Sequence, residues 1–167
     1  MTGRMMRRTA YVVAVCTMAA LAACSEPSGP AMAIEGGGFI FNYRIAEVFY
    51  GVSVKPLRKF EPGTVLVAEF ENPAGGAPFV VRETVAGPRL SYGLRTPGVE
   101  GVKAGRPYRV VVTVLSPGGT EFGRLERTFK SDLDQDVNPA RPLTIGPGYT
   151  RNPDAGQDAT QGATPPK

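Results

Sequence analysis

The sequence predicts an all-β protein: a single antiparallel β-sandwich of about seven strands, flanked by a flexible N-terminal tether and a disordered C-terminal tail. Three observations predict it. Runs rich in Val, Phe, Tyr and Thr recur through residues 38–130, Gly- and Pro-containing turn signals separate them at short intervals, and beyond the first two dozen residues no stretch of helical period reaches a dozen residues.

In chain order, GFIFNY at 38–43 opens the domain, and RIAEVFYGV at 44–52 fits a helix or a strand equally well. TVLVAEFE at 64–71 and PFVVRETV at 78–85 have strand composition; RLSYGLRT at 89–96 is weaker. PYRVVVTVLS at 107–116 is the clearest strand, and TEFGRLERTFK at 120–130 a weaker last one. Breakers fall between them at Pro62-Gly63, Asn72-Pro73 with Gly75-Gly76, Gly87-Pro88, Pro97-Gly98, Gly105 with Pro107, and Pro117-Gly118-Gly119. Period two sorts the faces. Leu66, Ala68 and Phe70 oppose Glu69 and Glu71, so that strand is buried on one side and wet on the other. Tyr108, Val110, Val112 and Val114 oppose Arg109, Val111, Thr113 and Leu115, which suits a central strand or one covered on its outer face by the segment after 130 or by a partner.

VKAGRPYRVVVTV at 102–114 is more specific. An apolar residue, a Gly turn, then Tyr108 followed by alternating valines resembles the tyrosine corner of immunoglobulin-like and fibronectin type III domains. The resemblance covers residues 39–130 and implies that Tyr108 opens the penultimate strand with its hydroxyl bonded back to upstream backbone. The chain lacks the core Trp and the inter-sheet Cys pair of those families, so the resemblance extends to architecture only.

The N-terminus reads as an address. MTGRMMRR is cationic, the fifteen residues TAYVVAVCTMAALAA are apolar, and a small-residue junction follows, as in a secretory signal peptide. A spanning helix needs about 20 apolar residues, so cleavage is expected over retention. Leu21-Ala22-Ala23-Cys24 resembles the bacterial lipobox, which implies a diacylglyceryl thioether on Cys24, cleavage before it and acylation of its amine. The alternatives are a plain signal peptide with Cys24 incidental, or a retained helix. Two or more acyl chains, each worth about 0.8 kcal/mol per buried methylene, hold a protein on a membrane stably. Ser25 after that cysteine, in place of Asp, resembles enterobacterial lipoproteins bound for the outer membrane and implies a periplasm-facing anchor in a Gram-negative host. Cys16 leaves with the leader, so the mature chain has no disulfide.

The expected organisation is therefore a leader at 1–23, a lipidated tether at 24–37, the sandwich at 38–130, an extended segment at 131–149 that packs on it through Leu133, Leu143 and Ile145, and a disordered tail at 150–167, where nothing larger than Ala is apolar.

Composition excludes more than it suggests. Of 19 Lys and Arg, three (Arg4, Arg7, Arg8) lie in the leader, and the remaining 16 face 15 acids, a near-neutral balance with no footprint for nucleic acid. There is no His, so the commonest general base and zinc-ligand nitrogen are absent. No nucleophile elbow or S-x-x-K pair occurs, and Ser91 and Ser116 read as strand or turn residues. Glu69, Glu71, Glu83, Glu121 and Glu126 could supply paired carboxylates, but a wet sheet face explains them as well. GGG at 36–38 lacks the Lys-Ser of a phosphate loop and reads as a hinge. Asp132, Asp134 and Asp136 have calcium-loop spacing, yet Val137 and Leu143 stand where the loop's Gly and Glu belong. Arg82, Arg95 and Arg109 offer a cationic strand face for a carboxylate or glycan, unless they balance nearby glutamates.

The expectation is thus a lipid-anchored envelope protein with no catalytic or metal-binding residues and no cofactor. Its membrane contact is Cys24, its partner a protein of the envelope. A carbohydrate- or peptidoglycan-binding module with Tyr92, Phe122 or Tyr149 as stacking platforms is the alternative.

Overall fold

The structure, a computed structural model, describes residues 29–155. Seven antiparallel strands form two packed sheets: β1 (Met32–Asn42), β2 (Glu47–Pro56) and β5 (Tyr92–Arg95) in one, and β4 (Phe79–Thr84), β3 (Val65–Phe70), β6 (Pro107–Leu115) and β7 (Glu121–Lys130) in the other, in those orders. A short hairpin, β8 (Thr144–Ile145) and β9 (Thr150–Arg151), follows a single 3-10 turn at Gln135–Val137. This is the antiparallel β-sandwich that the turn spacing predicts.

Alternation builds the core. Leu66, Ala68 and Phe70 of β3 and Tyr108, Val110, Val112 and Val114 of β6 are fully buried between the sheets, each large side chain stabilising by about 1.5–3 kcal/mol. Val48, Tyr50, Val52 and Val54 of β2 face them, so the ambiguous stretch after residue 44 resolves as a strand on its period-two apolar face. Val111 and Thr113, on the outer side of β6, are 3% and 7% exposed because β6 lies between β3 and β7, with Glu69 and Glu126 abreast of Val111. The segment after 130 does not cover that face.

Tyrosines replace the missing Trp and disulfide. Tyr50 stacks on Phe39 with centroids 4.5 Å apart and meets Phe70 edge-on at 4.9 Å. Its hydroxyl crosses the sandwich to donate to the Tyr108 carbonyl at 2.9 Å. The Tyr108 hydroxyl accepts from the Lys103 N–H at 2.7 Å and donates toward the Gly101 carbonyl at 3.5 Å. That is the corner expected from the sequence.

Two expected boundaries move, and one expected contact changes in kind. β1 begins at Met32, so residues 32–37 belong to the sandwich and not to the tether: Met32 and Ile34 are buried, a bulge at Glu35 resets the register, and the three glycines pair with β2. GGG is no hinge. A Cβ on Gly37 would lie 2.7 Å from both the Gly51 carbonyl oxygen and the Phe129 ring, so a missing side chain lets β1 close on β2 and β7. The extended segment does dock, but by backbone bonds and at one pole, with Gln135 N–H donating to the Val102 carbonyl and Leu143 N–H to that of Tyr43. Leu133, Leu143 and Ile145 stay exposed. Order continues to residue 155, because Asn152 is buried and its side chain donates to the Pro142 carbonyl at 2.7 Å. The rest of the expected tail, 156–167, and the leader and tether up to 28 lie outside the described residues.

Candidate functional site

The two poles of the sandwich differ. At one, the chain enters at Gly29 beside the β2–β3, β4–β5 and β6–β7 loops; at the other, the β1–β2 turn meets the C-terminal hairpin. There, Leu143 N–H and Thr144 N–H donate to the carbonyls of Tyr43 and Arg44 at 3.3 and 3.2 Å, binding together segments about a hundred residues apart in sequence. The result is a contiguous surface on which Tyr43, Ile45, Leu143, Ile145 and Tyr149 are all exposed. Exposed apolar clusters of this kind mark contact sites, and Tyr and Arg are the side chains that dominate binding energy in such patches.

Tyr149 is its most exposed member. The residue is 61% exposed, the Arg44 guanidinium lies 3.6 Å from its ring centroid, and its φ is 58°. A bulky residue in the left-handed region carries about 1–2 kcal/mol of strain, which the hairpin turn holds in place. Tyr149 was legible in the sequence as an exposed aromatic. Tyr43, Arg44 and Ile45 were not, since nothing local tells that a turn will be capped by a hairpin near the end of the chain.

Of the other aromatic platforms expected from the sequence, one is buried and one half-buried. Tyr92 is 1% exposed, its hydroxyl donating to the Gly87 carbonyl at 3.1 Å, because position 92 falls on the inward phase of β5. Phe122 packs edge-on to Phe60 with centroids 5.9 Å apart and lies under the Arg58 guanidinium.

A second feature is a shallow trough of about 480 Å³ on the outer face of β1, β2 and β5, floored by Gly36, Gly38, Gly51, Ser53 and Gly93. Arg95, over the Phe49 ring at 4.3 Å, lines it as well. Gly38, at φ 145°, and the crowded Gly37 are required by the backbone, whereas a Cβ at Gly36 or Gly93 would meet open space.

Three of the five candidate carboxylates are engaged structurally. Glu71 accepts from the Arg106 guanidinium and from Arg109 N–H, both at 3.0 Å, at a small polar hollow shared with Glu69 and Val111. Glu83 pairs with Arg89 at 2.6 Å and Glu126 with Arg109 at 3.4 Å. Arg82 and Arg109 share the outer face of the four-stranded sheet, while Arg95 lies on the other sheet, so the three arginines do not form one cationic face. Asp134 Oδ1 accepts from Ala104 N–H at 2.9 Å, and among the described residues no three His, Cys, Asp or Glu side chains are grouped to hold a metal. One titration stands out: burial first, and the Glu71 charge second, push the Tyr50 phenol well above its ordinary value. Cys24 lies outside the described residues.

No protein-family model matches the sequence, and no curated protein matches it. Among solved structures it is similar to a catalytically inactive OgpA from Akkermansia muciniphila in complex with an O-glycopeptide (glycodrosocin) substrate, at 11% identity and a TM-score of 0.36 over 65% of this chain and 31% of that one. This chain thus spans less than a third of that protein's length, and a likeness of this degree carries no functional information.

Proposed function

We propose that this is a lipid-anchored envelope lipoprotein, held by acylated Cys24, whose sandwich serves binding or scaffolding instead of catalysis within an envelope assembly. In a Gram-negative host the anchor sits in the outer membrane and the domain faces the periplasm. The lipobox-like LAAC at 21–24 and the near-neutral mature chain without His support the reading. The observation that carries the binding role is the polar-end patch, where Tyr149 is kept exposed in a strained conformation beside Ile45 and Arg44.

Two variants test it. Cys24→Ser should release the exported protein from membranes and lower its mass by the acyl groups; unchanged membrane association and mass would refute the anchor. Tyr149→Asn with Ile45→Glu keeps a residue tolerant of positive φ at the turn while removing the ring and an apolar contact. Crosslinking and pull-down from detergent-solubilised membranes should recover a stoichiometric partner with the wild type and at least about tenfold less with the double variant, as loss of 1.4 kcal/mol or more at a hot spot dictates. Recovery of no partner by the wild type counts against the binding role. A carbohydrate- or peptidoglycan-binding reading now rests on Tyr149 alone among its expected platforms, and co-sedimentation with purified cell wall distinguishes it.

A further inference from the structure

The pole where the chain enters carries two exposed leucines that the fold does not use. Leu57, 50% exposed, begins the β2–β3 loop and donates its N–H to the carbonyl of Ala31 at 3.0 Å, so it lies one hydrogen bond from the point where the chain joins the sandwich. Leu90, 93% exposed, is the most exposed large apolar residue described; it precedes β5 by two residues at the same pole, since Tyr92 pairs with Val54 and Met32 with Pro56. Arg58, Lys59 and Arg89 are their sequence neighbours. Each has a local partner: Arg58 the Phe122 carbonyl at 2.9 Å, Lys59 the Glu61 carboxylate at 3.5 Å, and Arg89 the Glu83 carboxylate.

Chain length selects the occupant. Ala31 and Met32 are buried, so the tether is spent by residue 30, and from Cys24 to Gly29 an extended chain spans at most about 18 Å. The nine residues of β6 alone run about 30 Å from pole to pole. An anchor at Cys24 therefore holds the Leu57–Leu90 pole near the bilayer and cannot bring the Tyr149 pole to it with the domain upright.

The geometry points to the Leu57–Leu90 pole as a membrane-contacting face that seats the sandwich on the lipid surface holding its anchor, leaving the Tyr149 pole turned outward. This rests on the lipid-anchor reading. Apolar side chains beside basic ones are what an interfacial contact requires: leucines enter the headgroup–acyl boundary while Arg and Lys stems lie along it with their charges at the phosphates.

The test uses the full lipidated protein, purified from membranes and reconstituted into vesicles of phosphatidylcholine with a minor share of phosphatidylglycerol. With Cys24 acylated and Cys16 removed with the leader, one introduced thiol is unique. A fluorophore is placed on Gly118→Cys, at the entry pole, or on Ala77→Cys, in the β3–β4 loop at the opposite one. Co-flotation with vesicles and about twofold or greater quenching by headgroup-borne quencher at 118 relative to 77 supports the inference. Co-flotation with equal quenching at both positions overturns it and leaves the anchor standing; failure to co-float overturns the anchor and this inference with it. Adding Leu57→Gln and Leu90→Gln, both at exposed positions, should keep co-flotation and the unfolding temperature while quenching at 118 falls toward the level at 77. Quenching unchanged by that pair would show that the leucines do not seat the domain.

Discussion

Replacing Gly37 and Gly93 by alanine should move stability in opposite directions. Both lie in the three-stranded sheet, and an alanine in place of a strand glycine ordinarily gains about 0.5–1 kcal/mol. At Gly93 the added methyl meets nothing within 4 Å, so the full gain is expected. At Gly37 the same methyl would stand 2.7 Å from the Gly51 carbonyl oxygen, 2.7 Å from Phe129 Cζ and 2.9 Å from Val52 Cγ1. Carbon atoms are at ease near 3.5–4.0 Å, so the ring contact alone is about 1 Å too short. Phe129 can yield part of that, but Gly51 is backbone on the partner strand, and relief there opens the β1–β2 ladder. Overpacking costs about 1–3 kcal/mol, which leaves a net loss of up to about 2.5 kcal/mol, with a central value of about 1 kcal/mol, after the glycine term is set against it. For a domain of this size each kcal/mol shifts the midpoint by about 3–5 °C. Calorimetry or circular dichroism of the two single variants under identical conditions decides the matter: Gly37→Ala should melt several degrees below the wild type and Gly93→Ala slightly above it. A Gly37→Ala protein as stable as the wild type would refute the claim that the glycine is there to let the strands close.

Removing the Tyr108 hydroxyl as Tyr108→Phe strands the Lys103 N–H and should cost about 1–2 kcal/mol in denaturant unfolding, more than Tyr50→Phe, whose lost partner is a carbonyl; equal costs would refute the corner's role. The alkaline limb should report Tyr50. Its native-state value is raised, so the native state keeps a proton that the unfolded chain releases above about pH 10; stability is full below that pH and declines above it, and Tyr50→Phe should flatten the decline. With no His in the chain, the unfolding temperature should hardly change between about pH 6 and pH 8, and a marked step there would contradict this.

Strands were legible where both side-chain period and composition agreed. β3 and β6 alternate cleanly, and Tyr108 stands at the fixed distance from its upstream turn that makes a corner recognisable. β7 was faint because two of its inward-phase positions are Gly123 and Arg127, which leaves Leu125 and Phe129, with Phe122 beside the bulge, to mark the buried face. GGG at 36–38 misled because glycine read alone signals chain freedom, whereas here its small size serves close approach, a fact that depends on Gly51 and Phe129 from other strands. The segment after 130 was expected to dock through its leucines and docks through main-chain bonds to Val102, Tyr43 and Arg44 instead, which side-chain hydropathy does not encode. Of the surface patch, only Tyr149 could be singled out beforehand, because its neighbours come from the first strand turn. Cys24 is the reverse case, an expectation drawn entirely from local context at a position outside the described residues.

The hydroxyl of Tyr50, reaching from one sheet to the main chain of the other, does the cross-bracing that sulfur performs in many secreted sandwiches. A domain tied by phenols needs no oxidant or isomerase to mature and is indifferent to the thiol–disulfide poise around it. Under the proposed anchor, Cys24 would then carry no structural duty and be available for acylation.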